Sequence, residues 1–179
     1  MRAAATAAFL LVAACGAGSD PAGEESRLAG DAGGPAPAGP APTSPAPELE
    51  NAPLAMGSWF FRERDGEAAA LFGPPASEAV FTIRCDAQAG QVHFLRSGRL
   101  EDGAATMRLV ADDGSVTLDA RRSGTQLPQV ESVLTAGAPF VRTLARETAR
   151  LGVAIGEESL LVMPGDAAIG RALGGCVGG

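Results

Sequence analysis

The sequence predicts a mainly β domain of the α+β class: an antiparallel meander forming a sandwich or a partly open barrel, with one helix over about 139–151 and a short helix at the carboxyl end. Three observations predict it. Asp-Gly pairs recur at Asp65-Gly66, Asp102-Gly103 and Asp113-Gly114, and the glycine of such a pair takes positive φ at no steric cost, which suits tight hairpins. The stretches around them alternate apolar and polar residues with the period of two that a half-buried strand requires. Near Pro139 that period gives way to the helical one.

In chain order, strands are expected over 56–64, 67–72, 79–85, 91–96, 104–111 and 115–121, with a further one over 129–134 after Pro128. Alternation is clearest in the third, where Phe81, Ile83 and Cys85 share one face and Thr82 and Arg84 the other. Met107 with Leu109, and Val116 with Leu118, give matching apolar faces across the Asp113-Gly114 turn. Phe140, Leu144, Thr148 and Leu151 then recur at helical spacing, with Pro139 suited to a first helical position and Gly152 to the residue past the end. Apolar runs over 151–155 and 160–163, around Gly156-Glu157-Glu158, read as a last hairpin, and 166–173 as a closing helix with Ile169 and Leu173 inward.

Ahead of this domain lies a different kind of chain. Arg2 is followed by the apolar run Ala3 to Ala14, long enough for the core of a signal peptide and too short to span a bilayer as a helix. Its end, Leu11-Val12-Ala13-Ala14-Cys15, resembles the lipobox of bacterial lipoproteins cut by signal peptidase II. The resemblance implies a signal peptide over 1–14, lipidation of Cys15 and a mature protein anchored to a bilayer by its acyl chains. Gly16 rather than aspartate after the cysteine favours the outer membrane over the inner.

Residues 15–53 read as a disordered tether. The 38 residues over 16–53 hold eight of the thirteen prolines and almost no large apolar side chains, so they cannot bury enough surface to offset the entropy of ordering. Residues 54–179 then form a single β-rich domain of 126 residues, near the commonest size for one hydrophobic core. Six acids against Arg27 put the tether near −5, and fifteen acids against twelve arginines put the domain near −3. Neither carries the basic excess of a nucleic-acid binder.

With Cys15 lipidated, Cys85 and Cys176 remain. Export places them in an oxidising compartment, where they are expected to pair as a disulfide, the alternatives being free or metal-bound thiols.

Known catalytic patterns are absent from the sequence. It has no Gly-x-Ser-x-Gly and no lysine for Ser-x-x-Lys. His93 is the sole histidine, on an expected strand, and is read as structural or surface rather than as a base or ligand. Glu101-Asp102, Asp112-Asp113 and Glu157-Glu158 fall in turns, whose chemistry accounts for them better than a glycosidase carboxylate pair does. No catalytic residue, cofactor or metal is therefore expected.

Two features suit binding. Arg142, Arg146 and Arg150 repeat every four residues, so on one helix they would line a face able to meet phosphates or an anionic polymer, or simply water. Trp59, Phe60 and Phe61 form the aromatic cluster next to the tether, and alternation places Trp59 and Phe61 on one face and Phe60 on the other, so the cluster either packs into the core or leaves one of its sides to a partner.

Phe81-Thr82-Ile83-Arg84-Cys85 with Gln91-Val92-His93-Phe94 faintly resembles the envelope lipoproteins that inhibit C-type lysozyme, β-barrels in which a strand cysteine enters a disulfide. Their Ser-Gly-x-x-Tyr inhibitory segment has no counterpart, the chain having no tyrosine and Ser123-Gly124-Thr125 being a poor echo. The expected function is thus a membrane-anchored, noncatalytic envelope lipoprotein that binds an envelope protein, polymer or hydrolase, with hydrolase inhibition as the alternative and an enzyme of unrecognised type third.

Overall fold

The computed structural model describes residues 47–178 apart from 101–104, 125 and 147. Cys15, the expected signal peptide, most of the expected tether, the expected Asp102-Gly103 turn and Thr125 lie outside the described residues.

Among the described residues nine strands form one antiparallel sheet: β1 (Ser58–Arg64), β2 (Glu67–Gly73), β3 (Phe81–Asp86), β4 (Gln91–Ser97), β5 (Ala105–Ala111), β6 (Gly114–Arg122), β7 (Gln129–Thr135), β8 (Arg150–Ile155) and β9 (Leu161–Pro164). Helix α1 (Pro47–Asn51) precedes them, α2 (Pro139–Ala145) follows β7, and α3 (Ala167–Val177) ends the chain. The strand order is β1-β2-β3-β4-β7-β6-β5-β8-β9. Local turn chemistry builds the β1–β2 hairpin, where Asp65 and Gly66 both take positive φ, and the β5–β6 hairpin, where Asp113 precedes Gly114 at φ 152°.

The sheet curls until its two edges meet. Just before β1, Leu54 forms a parallel bridge with Val162 of β9, and the Ala55 N–H donates to the Val162 carbonyl at 2.7 Å. The fold is therefore a partly open barrel, one of the two architectures expected from the sequence. Trp59, Phe72, Phe81 and Phe94 line its interior, with Trp59 tilted on Phe72 at 5.4 Å and edge-on to Phe81 at 6.4 Å between centroids. Helix α3 packs against β1, β2 and β3 and against α2, burying Ile169, Ala172 and Leu173, while α2 buries Val141 and Leu144. Asp166 caps α3 by accepting from the Ala168 N–H at 2.8 Å.

Two boundaries differ from the expected ones. The helix expected to reach residue 151 ends at Ala145, because Arg146 turns extended and the segment from Arg150 joins the ladder between β5 and β9. Leu144 and Leu151 both remain fully buried, so the same apolar positions serve a helix turn and a strand start. The folded chain also begins before residue 54. Leu49 of α1 is buried against Val110 and Val162, on the opposite sheet face from Leu109, and the Arg150 guanidinium donates to the carbonyls of Leu49, Glu50 and Ala52 at 3.1, 2.9 and 3.2 Å. Those carbonyls are ones a short helix leaves without internal partners, so a cation there both caps α1 and fixes it to β8.

Candidate functional site

The outer face of β1, β2, β3, β4 and β7 carries two registered rows of side chains. One runs Phe60, Leu71, Thr82, Leu95, Glu131 and on to Arg121 of β6; the next runs Arg62, Ala69, Arg84, His93 and Val133. A cavity of about 540 Å³ lies beside Phe60, Leu71 and Thr82 under the 74–79 loop. A second of about 380 Å³ lies beside Thr82, Arg84, Leu95 and Glu131. They share Thr82 and Gln129, so the face carries a groove that runs from Phe60 and Arg62 of β1 to Glu131 of β7. Ala76 in the loop above it takes φ 57°, a conformation that costs a residue bearing a Cβ about 1 kcal/mol.

At the β7 end of the groove, the carboxylate of Glu131 joins three strands. It accepts from Nδ1 of His93 at 2.7 Å, diagonally across β4–β7, and from Nε of Arg121 at 3.1 Å. Burial pushes the Glu131 carboxyl upward, but the hydrogen bonds from His93 and Arg121, with the Arg121 charge, outweigh it and hold the group below the ordinary carboxylate range. An ionised carboxylate only accepts, so Nδ1 carries the proton and Nε2 of a neutral His93 presents a lone pair. That Nε2 is buried without a hydrogen-bond partner, as is Nε of Arg84, which faces His93 across β3–β4.

A general base must reach the proton that it takes. Nε2 of His93 has no exposed surface in this arrangement, so the His93-Glu131 pair works as a pin between strands rather than as an exposed dyad. Glu131 and Arg121 escape a reading of the sequence because they are 38 and 28 positions from His93 and no local motif joins them. Register alone brings them together.

The other expected features separate. Arg142, Arg146 and Arg150 do not share a helix face: Arg142 lies on α2 and donates to the Gly137 carbonyl, Arg146 caps the helix in extended conformation, and Arg150 lies on β8 holding α1. The reason is the early end of α2, which puts Arg150 in a strand. The aromatic cluster splits as alternation requires. Trp59 is buried, Phe61 is half-buried under the Arg171 guanidinium at 4.7 Å, and Phe60 is 50% exposed at the mouth of the groove. Cys85 of β3 and Cys176 of α3 are disulfide-bonded, their Cα atoms 5.8 Å apart. Among the described residues no group of three or more His, Cys, Asp or Glu is placed to hold a metal ion. No protein-family model, curated protein or solved structure matches the chain.

Proposed function

We propose that the protein is a lipid-anchored, noncatalytic binding lipoprotein of a bacterial envelope, attached through Cys15 and facing the periplasm or the cell surface, on the outer membrane in preference to the inner. The observation that carries this reading is the Cys85–Cys176 bond. A disulfide belongs to an exported protein, and it leaves Cys15, at the end of the apolar leader, as the cysteine available for lipid. The buried Nε2 of His93 favours binding over catalysis, and the groove between Phe60 and Glu131 is the surface this reading assigns to a partner. Metabolic labelling with radioactive palmitate tests it: the natural chain incorporates label and sediments with membranes, and Cys15→Ser does neither. Label-free protein in the soluble fraction would overturn the anchor.

Inhibition of a lysozyme-like hydrolase is the second reading. The observation in its favour is Cys85, a strand cysteine in a disulfide on a β-barrel, as the resemblance to lysozyme inhibitors implies. It predicts suppression of lysozyme in a turbidity assay at micromolar protein, and full lysis there removes it.

A further inference from the structure

Among the described residues the β6–β7 ladder stops after two registered pairs, Arg121 with Glu131 and Arg122 with Val130, followed by the Ser123 N–H donating to the Gln129 carbonyl at 2.8 Å. On the other side of Arg121 and Glu131 the strands run on unjoined, β6 back to Gly114 and β7 on to Thr135. Their opposite edges stay laddered throughout, β6 to β5 and β7 to β4. A cavity of about 460 Å³ lies in this split, lined by residues 117–121 and 131–133. Consecutive residues of each strand line it, so it opens between the strands and not on one face of the sheet. Helix α2 packs on β6 farther along, and none of its residues lines the cavity.

Strand geometry fixes what the split presents. The Pro128 carbonyl accepts from the Gly98 N–H at 3.0 Å and the Ala136 N–H donates to the Gly90 carbonyl at 2.9 Å, so even-numbered residues of β7 turn their backbone groups to β4 and odd-numbered ones to β6. On β6 the groups of Ser123 and Arg121 turn to β7, and by the same period of two so do those of Asp119 and Thr117. Thr117, Asp119 and Val133 therefore aim N–H and C=O groups into the split at ladder spacing, where no strand takes them. The Asp119 carbonyl has a substitute partner in the Ser132 hydroxyl, which donates to it at 2.9 Å. On the inner side Val116, Leu118 and Leu134 are only half-buried. On the outer side Arg121 and Glu131 hold each other, whereas the exposed Asp119 makes no ion pair among the described residues.

We propose that the split binds an extended peptide segment of a partner protein, which adds as a strand antiparallel to β6 and alternates basic residues outward with apolar residues inward. Backbone groups at ladder spacing are matched by a chain that repeats N–H and C=O at the same period. The antiparallel sense follows from β6 offering the longer unjoined edge and from the greater stability of antiparallel pairing. Inward apolar side chains would cover Val116, Leu118 and Leu134, and outward basic ones would meet the Asp119 carboxylate. Residues 35–47 of the chain itself do not suit this edge, since a proline at every second or third position removes N–H groups that the ladder needs. The site goes beyond the lipoprotein reading and does not rest on lipid at Cys15.

Titration of the full chain in neutral detergent with a short capped peptide of alternating arginine and valine tests it, read by calorimetry and by amide hydrogen exchange. Saturable one-to-one binding is expected, with slowed exchange at the Thr117 and Asp119 amides. Residues directly opposite in a ladder share a face, so the peptide's arginines, outward like Asp119, turn their backbone N–H groups to β6. Methylating those nitrogens keeps the charge and the apolar surface and should abolish binding. Asp119→Asn should weaken it about threefold, as loss of an exposed ion pair allows. Thr117→Pro should abolish it, because that N–H turns to the split and not to β5. Should Thr117→Pro fail to fold, the methylated peptide decides on the natural chain. Absence of saturable heat, or equal binding of the methylated peptide, overturns the proposal. Slow exchange at the same amides without peptide overturns it too, assigning the edge to a second copy if protection rises with protein concentration and to the chain's own proline-rich segment if it does not.

Discussion

Trp59 on β1 donates its indole N–H to the carbonyl of Pro164 on β9 at 2.7 Å, joining the two edges of the sheet across 105 positions of sequence. With the Leu54–Val162 bridge it holds the barrel nearly closed, and it satisfies the one polar atom of an otherwise buried ring. Trp59→Phe keeps an aromatic ring on Phe72 and Phe81 but removes the donor. Unfolding in urea, followed by circular dichroism, should show a loss of about 1–3 kcal/mol with the slope unchanged, and a loss below about 0.5 kcal/mol would mean that the closure rests elsewhere.

The Cys85–Cys176 bond ties β3 to α3 across 91 positions. A loop of that length contributes about 4–5 kcal/mol in the chain-entropy model, less any strain. Reduction, or Cys85→Ser with Cys176→Ser, should therefore lower the unfolding midpoint sharply and release α3 first, since the helix loses its covalent tie. Hydrogen exchange over 167–177 reads this, and unchanged protection there after reduction would count against it.

Glu131 makes stability depend on acidity in a definite direction. Its folded pKa lies below the ordinary value of 4.5, so the stabilisation it supplies is complete above about pH 4.5 and is lost as pH falls through the folded value. Glu131→Gln should cost about 1.5–3 kcal/mol at neutral pH, the usual worth of hydrogen bonds to a charged group, and should flatten the acid limb of the stability profile. Parallel acid limbs in the two proteins would show that other carboxylates dominate.

Gly165 and Gly137 offer a matched pair of substitutions. Alanine at 165 would drive a Cβ to within 1.5 Å of a carbonyl oxygen, whereas alanine at 137 meets nothing within 4 Å. Gly165→Ala should destabilise by about 3 kcal/mol or more, because backbone cannot yield as a side chain does, and Gly137→Ala should stay within about 0.5 kcal/mol. Equal melting temperatures for the two variants would refute the close contact between α3 and the 148–149 segment.

Much of the strand pattern is legible residue by residue. Asp65-Gly66 and Asp113-Gly114 dictate hairpins through their own φ preferences, and Phe81, Ile83 and Cys85 face inward together because a strand has period two. Leu144 and Leu151 are not decidable in this way, since seven residues satisfy two helical turns and equally allow a helix turn followed by a strand. Leu49 stands almost alone among prolines and acids, so its burial against Val110 and Val162 has no periodic signal.

The sequence by itself determined the repertoire: short antiparallel strands, a late helix, two cysteines suited to pairing, and aromatic residues split between two faces. Only the tertiary structure decided which strands are neighbours. The order runs from β4 to β7 and then back through β6 and β5 to β8, and that choice alone places His93, Glu131 and Arg121 in contact and parts Arg146 from Arg150. The physical reason is that a hairpin is set by the residues of its turn, whereas a non-local pairing is set by which edges meet when the sheet curls around its core. That closure belongs to the whole chain at once.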